Sequence, residues 1–340
     1  MRILVTGASG FIGSKLVPRL IEEGHKIRTM GRGSSVPRNL AHLSVEHVRG
    51  DVTNPEHAAT AVEGCDAVYH LAGLVSYRKT DLNRAYGVNV MGTRNIMQAC
   101  LRAGVKRVIH TSSVAAMGIP EFGTIADETF AYNLNGLGLS YCDTKHEAEL
   151  EVLQAFKAGL PVLMLNPGII FGEGDTHPHH HVIFGAMSRG WLLGVPPGGV
   201  PFSDINDVVE AHVNALTKGR TGERYVLVSA NLTMKEAASI FARVFHTRKP
   251  ICEIPGAIVV ALGSLSESIL PLMGLTPSLT RQVAWLSQHR IFFSSKKAEE
   301  ELGFHATPFE ETIRRTAPYY LSKSKEKEKK ALGASKSTTL

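Results

Sequence analysis

The strand-like run Ile3 to Thr6 passes directly into Gly7-Ala8-Ser9-Gly10-Phe11-Ile12-Gly13, and this turn opens an apolar helical pattern of Leu16, Val17, Leu20 and Ile21. A first strand joined to a first helix by a glycine turn leaves few architectures open. It brings backbone N–H groups and the positive end of the helix against a pyrophosphate, an approach that side chains at those positions would block. The spacing is G-x-x-G-x-x-G, not the G-x-G-x-x-G of ordinary dehydrogenases. Glycines that merely punctuate a tight turn are the alternative, and the strand before and helix after argue against it.

Short β-branched runs then alternate with longer helical patterns. Strands are expected at 2–6, 26–30, 45–48, 66–71, 106–111 and 161–166, and helices at 11–23, 55–63, 84–103 and 141–158. That rhythm specifies an α/β fold of Rossmann type: a doubly wound parallel sheet covered on both faces, with a smaller, mostly helical C-terminal substrate lobe. Residues 1–166 form the NAD(P)-binding domain, its sheet completed by later segments; 167–320 form the substrate lobe, with a helix at 207–217 and a strand at 223–229. Residues 321–340 read as a disordered basic tail.

Charge and composition narrow the partners. The formal net charge is +6, but the six Lys and two Glu of residues 321–340 supply +4 of it, so the body is nearly neutral and nucleic acid is not an expected partner. Cys65, Cys100, Cys142 and Cys252 are scattered, which fits neither a zinc site nor a disulfide framework. A cytoplasmic location is expected, and the apolar run after Met1 is too short for a signal peptide. Residues 257–275 are the most apolar stretch, yet Glu267, Pro271 and three serines interrupt them. Stable membrane insertion is therefore not expected, while an amphipathic lid or a membrane-surface contact stays open.

At the end of the second strand, where dinucleotide-binding folds place an acid on the ribose hydroxyls, this chain has Gly31 followed by Arg32. An acid there would repel a 2'-phosphate and an arginine would pair with it. NADP is thus favoured, with NAD as the alternative, and a solvated loop cation is the other reading of Arg32.

Tyr141-Cys142-Asp143-Thr144-Lys145 opens a helix that places the phenol and the ammonium on one face. The nearby cation is expected to lower the phenol pKa, which would make Tyr141 a general acid or base. Both follow a strand ending in His110-Thr111-Ser112-Ser113, and the carboxyl ends of parallel strands are where such sheets bind ligands. Ser113 is placed on the substrate oxygen, with Ser112 as its rival.

Taken together, these motifs resemble the extended short-chain dehydrogenases/reductases, the family of NAD(P)-dependent epimerases, dehydratases and dihydroflavonol-reductase-like enzymes. Thr6 to Gly13 match its TGxxGxxG turn, Gly50-Asp51-Val52 its acid after the third strand, and His70-Leu71-Ala72-Gly73 its fourth-strand motif. Asn89-Val90-Met91-Gly92-Thr93, Ser113, Tyr141 with Lys145, and Pro167-Gly168 with Gly172 also fit. The resemblance implies catalytic roles for Ser113, Tyr141 and Lys145. It implies a cofactor site of Gly7, Gly10, Phe11, Ile12, Gly13, Arg32, Asp51, Val52, Leu71, Ala72, Gly73, Tyr141, Lys145, Pro167 and Gly168, with Asp51 on the adenine and Lys145 on the nicotinamide ribose. Asn89 is implied to support the sheet and helix around the site, and Asp207 to be structural.

Nucleotide-sugar enzymes of that family carry an Asn after the sixth strand and an Arg before a Val-Asp-Asp turn; here Ile169 and Val200 stand in those places. A pocket without a diphosphate clamp favours a less charged substrate. The expected activity is therefore hydride transfer between nicotinamide and a carbonyl or secondary alcohol of a small, fairly apolar molecule. A sugar epimerase or dehydratase using transient hydride transfer is the alternative, and a non-catalytic NADP-binding regulator the second. His177, His179, His180 and His181 lack an evident carboxylate partner and convergent spacing, so no metal is expected. The chain is expected to be a monomer or homodimer.

Overall fold

In the computed structural model, residues 1–175, 184–275, 277 and 279–336 are described, with side chains as far as Lys323. The histidine cluster His177 to His181 lies outside the described residues. Strands β1 (Arg2–Thr6), β2 (Lys26–Gly31), β3 (Val45–Arg49), β4 (Ala67–His70), β5 (Arg107–Thr111), β6 (Val162–Pro167) and a late strand (Arg224–Leu227) form one sheet. Its order is late strand, β6, β5, β4, β1, β2, β3, and every pairing is parallel. The order reverses between β1 and β4, which opens a crevice beyond their carboxyl ends.

Continuous apolar strands build both faces, because successive side chains alternate. Ile3, Val5, Leu163 and Leu165 enter one core with Leu16, Val17 and Leu20 of α1 (Phe11–Glu22). Leu4, Val162 and Met164 enter the other, against α2 (Pro55–Val62), α4 (Gly92–Ala103) and α5 (Ser140–Lys157). Where one helix was expected at 84–103, the chain forms α3 (Leu82–Tyr86), a π turn (Gly87–Met91) and then α4.

The second half interleaves with the first. Strands β7 (Ile169–Phe171), β8 (Gly194–Val195) and β9 (Gly199–Asp204) precede α6 (Ile205–Asn214), which packs in the first core through Val208, Val209 and Ala211. The late strand, β10, then returns to the sheet beside β6. Beyond it come β11 (Ala230–Thr233), α7 (Met234–Phe245), β12 (Cys252–Glu253), α8 (Gly256–Ile269), α9 (Arg281–Leu286), α10 (Lys296–Leu302) and α11 (Phe309–Lys336). A third core holds the lobe together, with Phe171, Phe184, Phe202, Phe241, Phe309 and Tyr320 at its centre.

The backbone of α11 is helical to Lys336, which corrects the expectation of disorder from 321 onward. Lys, Glu and Ala dominate that stretch and are strong helix formers, so a helix begun by docked residues propagates without an apolar face.

Candidate active site

The glycine turn and the segment after β4 meet across the crevice. Gly7 has φ +69°, and a Cβ there would come within 2.7 Å of the Ala72 nitrogen. At Gly13 a Cβ would come within 2.5 Å of the Gly7 carbonyl, so helix α1 can start only this close to the turn if both are glycine. Gly10 differs: the sole neighbour of an added Cβ is its own turn's Gly7 carbonyl, at 3.1 Å. Packing is less severe there than at Gly7 and Gly13, and an unobstructed approach to the helix end adds to the demand for glycine. Among the described residues, no side chain caps α1 and no acid lies in its first turn. The turn therefore fits a dinucleotide pyrophosphate.

The remaining cofactor candidates divide by environment. Leu71 and Ala72 are tied to β1 by hydrogen bonds from their amides to the Thr6 carbonyl and hydroxyl, both at 3.2 Å. Gly73 sits 3.5 Å, measured from an added Cβ, from Asn89 Oδ1. Asp51 uses Oδ1 to accept from the Thr53 amide at 3.0 Å and its hydroxyl at 2.9 Å; these bonds, followed by the nearby Arg32 charge, hold its carboxyl below the usual range. Arg32 is exposed and forms no hydrogen bond or ion pair among the described residues. Phe11 and Val52 are buried in the two cores, and Ile12 packs partly buried against the first. Pro167 is buried at the end of β6. Gly168 donates to Ser203 Oγ at 3.0 Å and approaches the Pro201 carbonyl too closely for a side chain.

Helix α5 begins beside the end of β5 and brings the catalytic candidates together. Ser113, whose hydroxyl accepts from the Ala115 amide at 3.2 Å, lies on the phenol side of Tyr141 and favours its charged form, and Tyr77 packs edge-on against that ring with centroids 5.3 Å apart. Lys145 Nζ donates to the Thr111 carbonyl at 2.8 Å. The expectation of a lowered phenol pKa is corrected: burial pushes Tyr141 up to about 12, and Ser113 only partly opposes this. Burial also brings Lys145 down to about 8, with Glu149 opposing. Desolvation disfavours the charged form of each group.

Ser112 leaves the contest with Ser113 because its hydroxyl donates to the buried Glu149 at 2.5 Å. Glu149 also accepts from Asn166 Nδ2 at 2.6 Å and Arg224 at 3.3 Å. This carboxylate was missed, although its spacing of four from Lys145 puts it on the same helix face. A second missed group links Thr6, His70 and Thr93: His70 Nδ1 lies 2.8 Å from Thr6 Oγ1 and Nε2 3.0 Å from Thr93 Oγ1. Burial holds His70 down at about 3, so it stays neutral near neutral pH.

Asn89 braces the site from the π turn. Its Oδ1 accepts from the Leu74 amide at 2.7 Å, and its Nδ2 donates to Leu74 O and Thr144 Oγ1, both at 3.1 Å. Asp207 accepts from the Thr307 amide and hydroxyl and from Ser229, so it locks the lobe to α6. Ile169 and Val200 lie partly buried against the third core.

A model of the NAD dependent epimerase/dehydratase family matches residues 3–227, most of the sheet and both halves of this site. The chain belongs to that family. It is 30% identical over 315 residues to a putative dihydroflavonol 4-reductase of Synechocystis, covering 91% of each chain. It is 33% identical over 273 residues to sterol demethylase protein B of Methylococcus capsulatus, covering 79% of this chain and 82% of the relative. The crystal structure of gox2253 superposes with a TM-score of 0.79 at 30% identity, covering 94% of this chain and 98% of that one. This member of the extended short-chain dehydrogenases/reductases is accordingly an NAD(P)-dependent enzyme whose chemistry is hydride transfer.

Proposed function

We propose that this enzyme is an NADP-preferring oxidoreductase acting on a carbonyl or secondary alcohol of a small, fairly apolar molecule, with Tyr141 as general acid/base. The observation that carries the reading is the buried Tyr141 phenol beside Ser113 at the carboxyl end of β5, one helical turn from Lys145, whose ammonium donates to Thr111 of that strand. When bound, the cofactor supplies or accepts hydride at its nicotinamide. The glycine turn holds the pyrophosphate, Asp51 the adenine side and Arg32 the 2'-phosphate. Lys145, which donates to Thr111 O, would hold the nicotinamide ribose, and its charge would help to steady a phenolate. Ser113 holds the substrate oxygen while Tyr141 gives it a proton in reduction or takes one in oxidation.

A phenol pushed up to about 12 is protonated near neutral pH, the form that reduction needs. The apolar character of the substrate rests on Ile169 and Val200, neither of which offers a phosphate a charge, and accords with a sterol-named relative. The enzyme is cytoplasmic in this reading.

Tyr141→Phe keeps the ring and removes the proton. Cofactor titration should be unchanged while turnover falls by about 10²- to 10⁴-fold; unaltered turnover would sink the assignment. The family name sustains a second reading, epimerisation. Absorbance of reduced nicotinamide separates them, since net reduction consumes it stoichiometrically and epimerisation returns it.

A further inference from the structure

Helix α8 and the turn that follows it (Leu270–Met273) present an apolar stripe to solvent. Ile258, Leu262, Leu265, Ile269 and Leu272 recur every three or four residues and all are exposed, Leu272 at 86%. The other side of the helix is occupied: Val259 and Gly263 are buried, and a Cβ on Gly263 would come within 2.8 Å of Ala284 in α9. Two of the three serines of α8 bond back onto the helix, Ser264 Oγ donating to Val260 O at 2.9 Å and Ser268 Oγ to Ser264 O at 3.0 Å. Glu267 accepts from the Arg281 amide at 3.1 Å. Polar groups satisfied inside the element are what apolar surroundings require.

A second exposed apolar patch of a different character lies on the β8–β12 pair that precedes α8 in the chain. Ile251, 82% exposed, donates its amide to Leu193 at 2.9 Å, and Leu193 is 72% exposed. Nearby in the chain Trp191 is 68% exposed, with the Arg189 guanidinium 4.8 Å above its ring. The Arg248 amide is 3.1 Å from where a Gly190 Cβ would lie, and Lys249 follows, exposed. Glu253 is the opposing exposed acid. Strand β12 leads from this patch through Pro255 into α8.

We propose that this face docks on the surface of an anionic lipid bilayer. An apolar stripe accompanied by an exposed tryptophan and cations is how a helix lies in the headgroup boundary. Both ends of α8 return to the folded body, through β12 paired with β8 before it and α9 packed on it after, so it lies in the interface and does not cross. Charge selects the lipid: residues 321–340 carry six Lys against two Glu, and a polybasic segment added to an apolar face makes the two signals that hold a protein on an anionic membrane. The docked face is one helix from the chemistry. Gln282 of α9 donates to Gly138 O at 2.8 Å and accepts from Ser140 Oγ at 3.2 Å, beside Tyr141.

The test is cosedimentation of the full chain with vesicles of phosphatidylcholine alone and of equimolar phosphatidylcholine and phosphatidylglycerol. Binding is expected to the anionic vesicles and at least about tenfold weaker to the neutral ones. Leu265→Glu and Trp191→Ala should each weaken anionic binding by about tenfold or more, with melting temperature and NADP affinity unchanged. Failure to bind anionic vesicles, or wild-type binding by Leu265→Glu, overturns the proposal. So does self-association that Leu265→Glu abolishes without vesicle binding, which assigns the face to a second copy. Binding lost on truncation after Leu321 but indifferent to both substitutions would credit the tail alone and likewise overturn it.

Discussion

At Arg32, an exposed cation near Asp51, the proposed preference for NADP can be tested directly. Arg32→Ala should weaken NADP binding by about tenfold or more and leave NAD nearly unchanged, because only the 2'-phosphate loses a charged partner. Calorimetric titration with each cofactor decides it, and equal losses would make Arg32 a bystander. Lys145 carries a different cost. Its ordinary value of 10.5 falls to about 8 in the folded chain, so between those values the unfolded chain binds more protons and stability rises with pH. Below about 8 both states are charged and the full burial penalty is present. Lys145→Met should therefore melt higher than the wild type near neutral pH, and the gap should narrow as pH rises through about 8 toward 10. Above the ordinary tyrosine value of 10.0 the raised Tyr141 acts in the opposite direction and blurs the comparison. A gap constant across that range would show that the ammonium bears no such penalty.

Single elements owe their boundaries to side chains that hydrogen-bond backbone. The apolar pattern over 84–103 is continuous, but the π turn interrupts it where Thr93 Oγ1 donates to the Asn89 carbonyl at 2.6 Å. The widened turn lets Asn89 reach both Leu74 and Thr144, and such bulges gather at functional sites. Hydrophobic period does not encode that interruption. Helix α11 shows the converse. Its first half is docked by Thr312 and Arg315 on Asp204 and by Tyr320, whose hydroxyl donates to Asp175 at 2.8 Å; Ser322 and Lys323 are exposed. Truncation after Leu321 should leave the melting temperature and turnover in solution almost unchanged. Removing Tyr319 and Tyr320 as well should cost several kcal/mol, since Tyr320 fills the third core. Calorimetry of the two truncations checks this, and a large loss from the shorter deletion would mean that the last turns dock on the body.

For the whole molecule, the segments before and after residue 167 interleave in space. Strand β10 closes the edge of the parallel sheet, and α6 and α10 fill its first core through Val208, Ala211 and Leu302. The lobe is consequently built into the sheet, and Asp204 and Asp207 tie it to α11 and Thr307. Movement of the lobe against the sheet would have to break these buried carboxylate bonds.

What the sequence by itself determined is what short-range chemistry controls. The glycine turn, the alternating apolar runs and the four-residue spacing of Tyr141 and Lys145 specify a parallel sheet, a turn open to a phosphate and a helix face that carries both side chains, because each depends on backbone geometry or on period alone. Only the tertiary structure decided which serine is available, since Ser112 is taken by Glu149 from a helix 37 residues away. It also set the direction of the Tyr141 pKa, because desolvation depends on everything packed around the ring and not on the lysine one turn along.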